Sequence, residues 1–149
     1  MSFLSATKTG PIAEGGTTVI EQNIGGVDYR IHAFENVGTD TFTVNESTTV
    51  DVLVVGGGGS GGTGDDSGGG GAGGLIFKPN YSIQSQDYTI SVGNGGQVSR
   101  SDRGDSSNGG DTEISGSSTG LQLRAIGGGG GESYDNSPPA SDGGSGGGT

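Results

Sequence analysis

A nucleotide-binding loop is the chemistry this sequence most readily suggests. Gly57-x-Gly59-x-x-Gly62 follows directly on the apolar run Val52-Leu53-Val54-Val55, as a dinucleotide-binding fingerprint follows its first strand. That chemistry needs a helix whose N-terminal amides face the pyrophosphate. Here Thr63-Gly64-Asp65-Asp66-Ser67 and a further glycine run come next, and each glycine costs a helix about 1 kcal/mol relative to alanine. Phe77 and Lys78 stand where an acidic residue should end the second strand, and no Gly-Lys-Ser/Thr offers a phosphate loop. No cofactor is expected.

Other candidate chemistry is weaker. Asp65, Asp66, Asp102, Asp105 and Asp111 supply oxygens for a loosely held calcium ion, but solvated loop carboxylates are the simpler reading. Gly61-Gly62-Thr63-Gly64-Asp65-Asp66 partly matches a calcium-binding nonapeptide, but that motif works only in stacked repeats and needs a large apolar residue where Gly68 stands, so one defective copy is a chance match. His32 is the single histidine, which rules out a multi-histidine metal site, and it is expected to be partly exposed on a strand. No serine, histidine and acid carry the local signature of a triad. Arg103-Gly104-Asp105 is a tripeptide that such a composition produces by chance. No catalytic, cofactor-binding or metal-binding residue is assigned, and no enzyme activity is expected.

The elements that carry these residues must be built from unusual material. Of 149 residues 37 are glycine, and the apolar fraction is 26%. Ordering a residue costs about 1–2 kcal/mol, and more for glycine, so backbone hydrogen bonding or neighbouring chains must supplement apolar burial. The net charge of −11 comes with only 6 basic residues, which opposes binding to nucleic acid or to an anionic membrane surface. Cysteine is absent, so no disulfide contributes. Residues 1–8 lack the apolar core of a signal peptide, and no run is long enough for a transmembrane helix. Release by lysis or another non-Sec route is the expectation.

Three regions follow: a polar arm over 1–28, which could also hold a first strand, a β region over 29–55, and a glycine-dominated region over 56–149. Strands are expected at 29–34, 41–44 and 48–55, the last covered on both faces because its end is continuously apolar. Later strands are expected at 75–77, 88–92, 111–114 and 121–126, separated by turn signals at Asn94-Gly95-Gly96 and Asn108-Gly109-Gly110. No window holds an amphipathic helix, so the fold class is all-β. The glycine clusters could be flexible linkers. Apolar strands interrupt them, however, which favours extended three-fold helices packed side by side, where the missing Cβ lets backbones meet.

The order Tyr29–Phe34, Thr41-Phe42-Thr43-Val44, the run 50–59, GGGGAGGL at 68–75, YTISVGNGG at 88–96, NGGDTEI at 108–114 and AIGGGGG at 125–131 resembles a glycine-rich domain of tailed-phage tail fibres and adhesins, frequent among phages of marine bacteria. The resemblance covers roughly 29–148. It implies a β-sandwich-like start followed by polyglycine-helix layers, presented on a fibre or at its tip. Similar chains usually continue through further glycine and strand blocks. This one ends at Thr149, as either a short member or the N-terminal part of something longer.

The expected function is therefore a virion structural protein of a tailed phage, a tail or head fibre or adhesin component at the virion surface. Its expected partners are capsid or tail proteins, further copies of itself and a host surface receptor. A non-viral surface adhesin or a self-assembling extracellular filament is the alternative. Phe3, Leu4, Ile12, Val19 and Ile20 are the expected partner-docking residues of the arm. Removal of residues 1–20 is expected to leave the strands over 29–55 folded.

Overall fold

The computed structural model describes residues 2–6 (by their backbone), 12–65, 67–98, 106–118, 120–133 and 139–145. Its strands are β1 (Ser2–Ala6), β2 (Ala13–Glu14), β3 (Thr18–Ile24), β4 (Val27–Ala33), β5 (Gly38–Val44), β6 (Thr48–Val55), β7 (Leu75–Ile83), β8 (Gln86–Val92), β9 (Thr112–Gly116) and β10 (Leu121–Ala125). The described residues contain no helix, and the protein is all-β.

Two five-stranded antiparallel sheets, ordered β3-β4-β1-β6-β7 and β10-β9-β8-β5-β2, enclose one core. Period-two alternation builds it. Val50, Val52 and Val54 of β6 point inward from the first sheet, towards Phe42 and Val44 of β5, Ile90 of β8 and Ile114 of β9. Phe42 meets Phe34 edge-on at 5.9 Å between ring centroids, a favoured geometry for aromatic pairs. A two-residue turn joins β3 to β4, with Gly25 (φ 61°) and Gly26 (φ 86°) both in the left-handed region that such hairpins require.

Four findings correct the reading from sequence. Strand β6 is fully buried on one face only: Leu53 is half-buried and Val55 exposed, because among the described residues no second layer lies outside the first sheet. His32 is buried, not partly exposed, since β4 directs it inward and Gly15 passes close enough for a 2.7 Å bond between His32 Nδ1 and the Gly15 carbonyl. The described residues of 1–28 do not stand apart: they supply β1 and β3 to the first sheet and β2 to the second, and β1 lies between β4 and β6. Removing 1–20 would therefore open the first sheet between strands that its retained residues form. Finally, β7 runs on to Ile83, its ladder with β6 shifting register between Val50 and Val52.

The buried histidine makes the fold acid-sensitive. A carbonyl partner requires Nδ1 to carry the proton, and Nε2 is buried with no hydrogen-bond partner among the described residues. Burial, reinforced by the Arg30 charge, holds the pKa below the ordinary 6.5 against the opposing bond to Gly15. The unfolded chain then binds a proton that the folded chain refuses, so stability is full above pH 6.5 and falls as pH drops towards the depressed folded value. Urea midpoints measured at pH 7.5 and 5.5 should decline with acid in the native chain, and the decline should be smaller in His32→Gln.

Candidate functional site

The apolar strands end where the glycines begin, and all the ends concerned lie on one side of the sandwich. Stretches 56–62, 93–97 and 126–133 leave β6, β8 and β10, while 68–74 and 106–111 return to β7 and β9. Their glycines are absent from the positive-φ positions of the chain. Each stretch is an extended rod with a three-residue repeat, and the hydrogen bonds show it. Amides of Gly56, Gly59 and Gly62 donate to carbonyls of Gly74, Gly71 and Gly68, each at 2.9 Å. Amides of Gly68, Gly71 and Gly74 donate in turn to Glu132, Gly129 and Ile126 at 2.7–2.8 Å. A third direction is taken by Gly57 and Ser60, which donate to Gly110 and Ser107. Steps of three in both donor and acceptor define packed polyglycine rods of the polyproline-II type.

Rods 56–62 and 126–133 form the centre. Rod 126–133 bonds to 56–62, 68–74, 106–111 and a sixth stretch, 141–145, and Gly127–Gly131 are all buried. Glycine is required there by contact. A Cβ on Gly59, Gly62, Gly128 or Gly131 would come within 3.0 Å of the carbonyl oxygen of Gly129, Glu132, Gly71 or Gly68 respectively. Gly58 and Gly61 face outward, and their Cβ atoms would make only ordinary contacts, with Gly71 O at 3.8 Å for the first and with Gly68 O at 3.6 Å and Gly70 N at 4.0 Å for the second.

Small polar residues replace glycine where a side chain can serve the lattice. Asn108 Oδ1 accepts from Gly130 N at 2.9 Å, and Asp111 Oδ1 accepts from Gly127 N at 2.7 Å, so two side chains three residues apart serve two amides three residues apart. Arg124 donates to the other Asp111 oxygen through Nε at 2.6 Å and also through Nη2. The Gly127 amide, then Arg124, hold the Asp111 carboxyl below the usual carboxylate range. Ser60 and Ser107 join three rods: Ser60 Oγ donates to Gln97 O at 3.0 Å and accepts from Ser107 N at 2.9 Å. Sequence reasoning gave Asp111 and Asn108 other roles, a calcium oxygen and a turn, and passed over Ser60 and Ser107. Their signal is a polar side chain recurring at steps of three inside glycine runs.

The sequence-derived candidates fall as follows. The fingerprint glycines lie in rod 56–62, with no helix after them among the described residues. Asn94-Gly95-Gly96 and Asn108-Gly109-Gly110 lie in rods, not turns. Asp111 is engaged with Arg124 and Gly127, while Asp66, Asp102, Asp105 and Arg103-Gly104-Asp105 lie outside the described residues. No group of three His, Asp or Glu side chains suited to a metal occurs among the described residues. A shallow cleft runs past Tyr81, Tyr88 and Leu121, where the Tyr88 hydroxyl accepts from Gln84 N at 2.9 Å and donates to Gln84 O at 3.2 Å. Of the docking candidates, Phe3 pairs in register with His32 opposite Val19, and Leu4 with Ile31 opposite Ile20. Val19 and Ile20 are exposed, whereas Ile12 is half-buried on the other side of the fold and its carbonyl accepts from Asn45 N. The side chains of Phe3 and Leu4 lie outside the description.

A family model for a glycine-rich domain matches residues 35–149, which take in the strands from β5 onward and all the rods. No curated protein and no solved structure matches the chain.

The lattice predicts opposite responses one residue apart. Gly59→Ala should lower stability by about 1–3 kcal/mol or more, through overpacking against a backbone that cannot yield. Gly58→Ala should be neutral or stabilising by up to about 1 kcal/mol, because it restricts only the unfolded chain. Thermal and urea denaturation of the two variants measure the difference.

Proposed function

The chain belongs to the glycine-rich domain family, and from that premise we propose that it is a structural component of a tailed-phage virion, a fibre or adhesin element. In this reading the sandwich joins the assembly and the rods project towards the host surface. The supporting observation is the rod lattice itself. Chain stretches leave the sandwich and return to it, tied at every third residue by backbone bonds, so the module is stiff along the direction in which it extends. Gly62 faces Gly68, Gln97 faces Ser107 and Gly130 faces Ser141 at the rod ends distant from the sandwich. A stiff stem that gathers successive chain reversals at one tip suits presentation, and the net charge of −11 suits a solvated projecting surface.

The reading is tested by immunogold labelling of purified particles from the phage that carries the gene. Gold should lie on fibres projecting from the head or tail. Gold confined to the envelope of uninfected cells would contradict the virion assignment and favour a cellular adhesin.

A further inference from the structure

Each sheet has two edges, and a bare edge invites another strand. Three of the four edges are guarded. Strand β7 carries Lys78 and Pro79, Asn80 at φ 50°, and a register shift in its ladder. Strand β2 has only two residues, and β10 is five residues long and packs beside β6 and β7. Strand β3 has none of these devices. Its seven residues pair with β4 in unbroken register, with no proline, lysine or bulge, and Glu21 is its one charge. Among the described residues nothing covers its outer edge. Val19, Ile20 and Ile24 are 44%, 49% and 46% exposed; Leu75 and Phe77 of β7 are exposed too, but they share their strand with Lys78, Pro79 and the register shift.

We propose that β3 is a self-association edge, pairing antiparallel with β3 of a second copy about a two-fold axis at Gln22. The turn fixes which backbone groups are available. A two-residue hairpin is flanked by a hydrogen-bonded pair, here Ile24 and Val27. Ile24, Gln22 and Ile20 therefore spend their backbone groups on β4, and Asn23, Glu21 and Val19 turn theirs outward. With Gln22 on the axis, Glu21 bonds opposite Asn23 and Ile20 stacks opposite Ile24, twice over. No like charges meet, and four isoleucines are covered. Centring on Glu21 would set two carboxylates face to face, and centring on Ile20 would leave Ile24 opposite Gly16.

A second copy fits better than a foreign strand because the sequence of β3 is its own complement in this register. Charge favours the same site. Two chains of −11 repel over most of their surfaces, and β3 offers a contact nearly free of charge. A two-fold contact closes on itself, whereas β3 against β7 would propagate and meets Lys78 and Pro79. The inference uses only the edge and does not rest on the virion reading.

The chain has no cysteine, so Gln22→Cys introduces one exposed thiol. Across a two-fold at this non-hydrogen-bonded position the Cα atoms lie about 4.5 Å apart, within the range of about 4.4–6.8 Å that a disulfide spans. Under mild oxidation of the full chain, Gln22→Cys should convert to a linked dimer at least ten times faster than Ile20→Cys. Light scattering of the unmodified chain should give twice the monomer mass, and Ile20→Lys should return it to one. Equal cross-linking at the two positions, faster linking at Ile20→Cys, or a monomeric unmodified chain whose Gln22→Cys variant does not link would overturn the proposal.

Discussion

Along rod 56–62, the backbone of each successive residue faces a different neighbour, and the interactions that result are amide-to-carbonyl bonds between rods at 2.7–3.0 Å. At the inward positions, such as Gly59, Gly62, Gly128 and Gly131, the backbones approach to a distance that a Cβ forbids. The whole glycine-rich half rests on this steric condition. Buried backbone groups must be paired, and a polyproline-II rod has no internal bonds to offer. Rod 126–133 can be buried because its neighbours on several sides supply the partners. A chain with an apolar fraction of 26% thereby gains an ordered region that apolar burial alone could not supply.

The sandwich and the lattice depend on each other. Strands β6 to β10 are fixed at one end by the rods they run into, and the rods start in register because the sheets hold those ends side by side. Asp111 sits at the junction, immediately before β9, and ties the Gly127 amide of rod 126–133 to Arg124 of β10. Thr112 does the same for rod 93–97, its hydroxyl accepting from Gly93 N at 3.1 Å. These side chains explain why the antiparallel order of the second sheet continues into the alternating direction of the rods.

Much of this was legible in the residues. Alternation and β-branching placed strands at 48–55 and 88–92, and the apolar interruptions of the glycine runs pointed to order in place of linkers. What escaped has physical reasons. Asn-Gly is a strong hairpin signal when two strands must reverse, but beside close-packed glycines the same dipeptide continues a rod, and only the third dimension shows which neighbour it meets. The apolar end of β6 reads as buried twice, yet Leu53 and Val55 share the period-two face that no layer of the described residues covers. Residues 18–24 carry few apolar groups and are exposed on both faces, so no burial pattern marks them as a strand. Their strand character comes from the Gly25-Gly26 turn and the pairing with β4. His32 looked like a surface residue because nothing local announces the Gly15 carbonyl, seventeen residues earlier in the chain.

The central claim is that the glycine runs are a hydrogen-bonded lattice, and amide exchange resolved by residue in the unmodified chain addresses it directly. The amides of Gly59, Gly71, Gly128 and Gly131 donate between rods, whereas Gly58 and Gly61 donate to nothing among the described residues. Exchange should therefore be slow at the first four and fast at Gly58 and Gly61, a three-residue rhythm that neither a strand nor a coil produces. Uniformly fast exchange across 56–62 and 127–131, at the rate of an unstructured glycine peptide, would contradict the lattice and leave these runs as linkers.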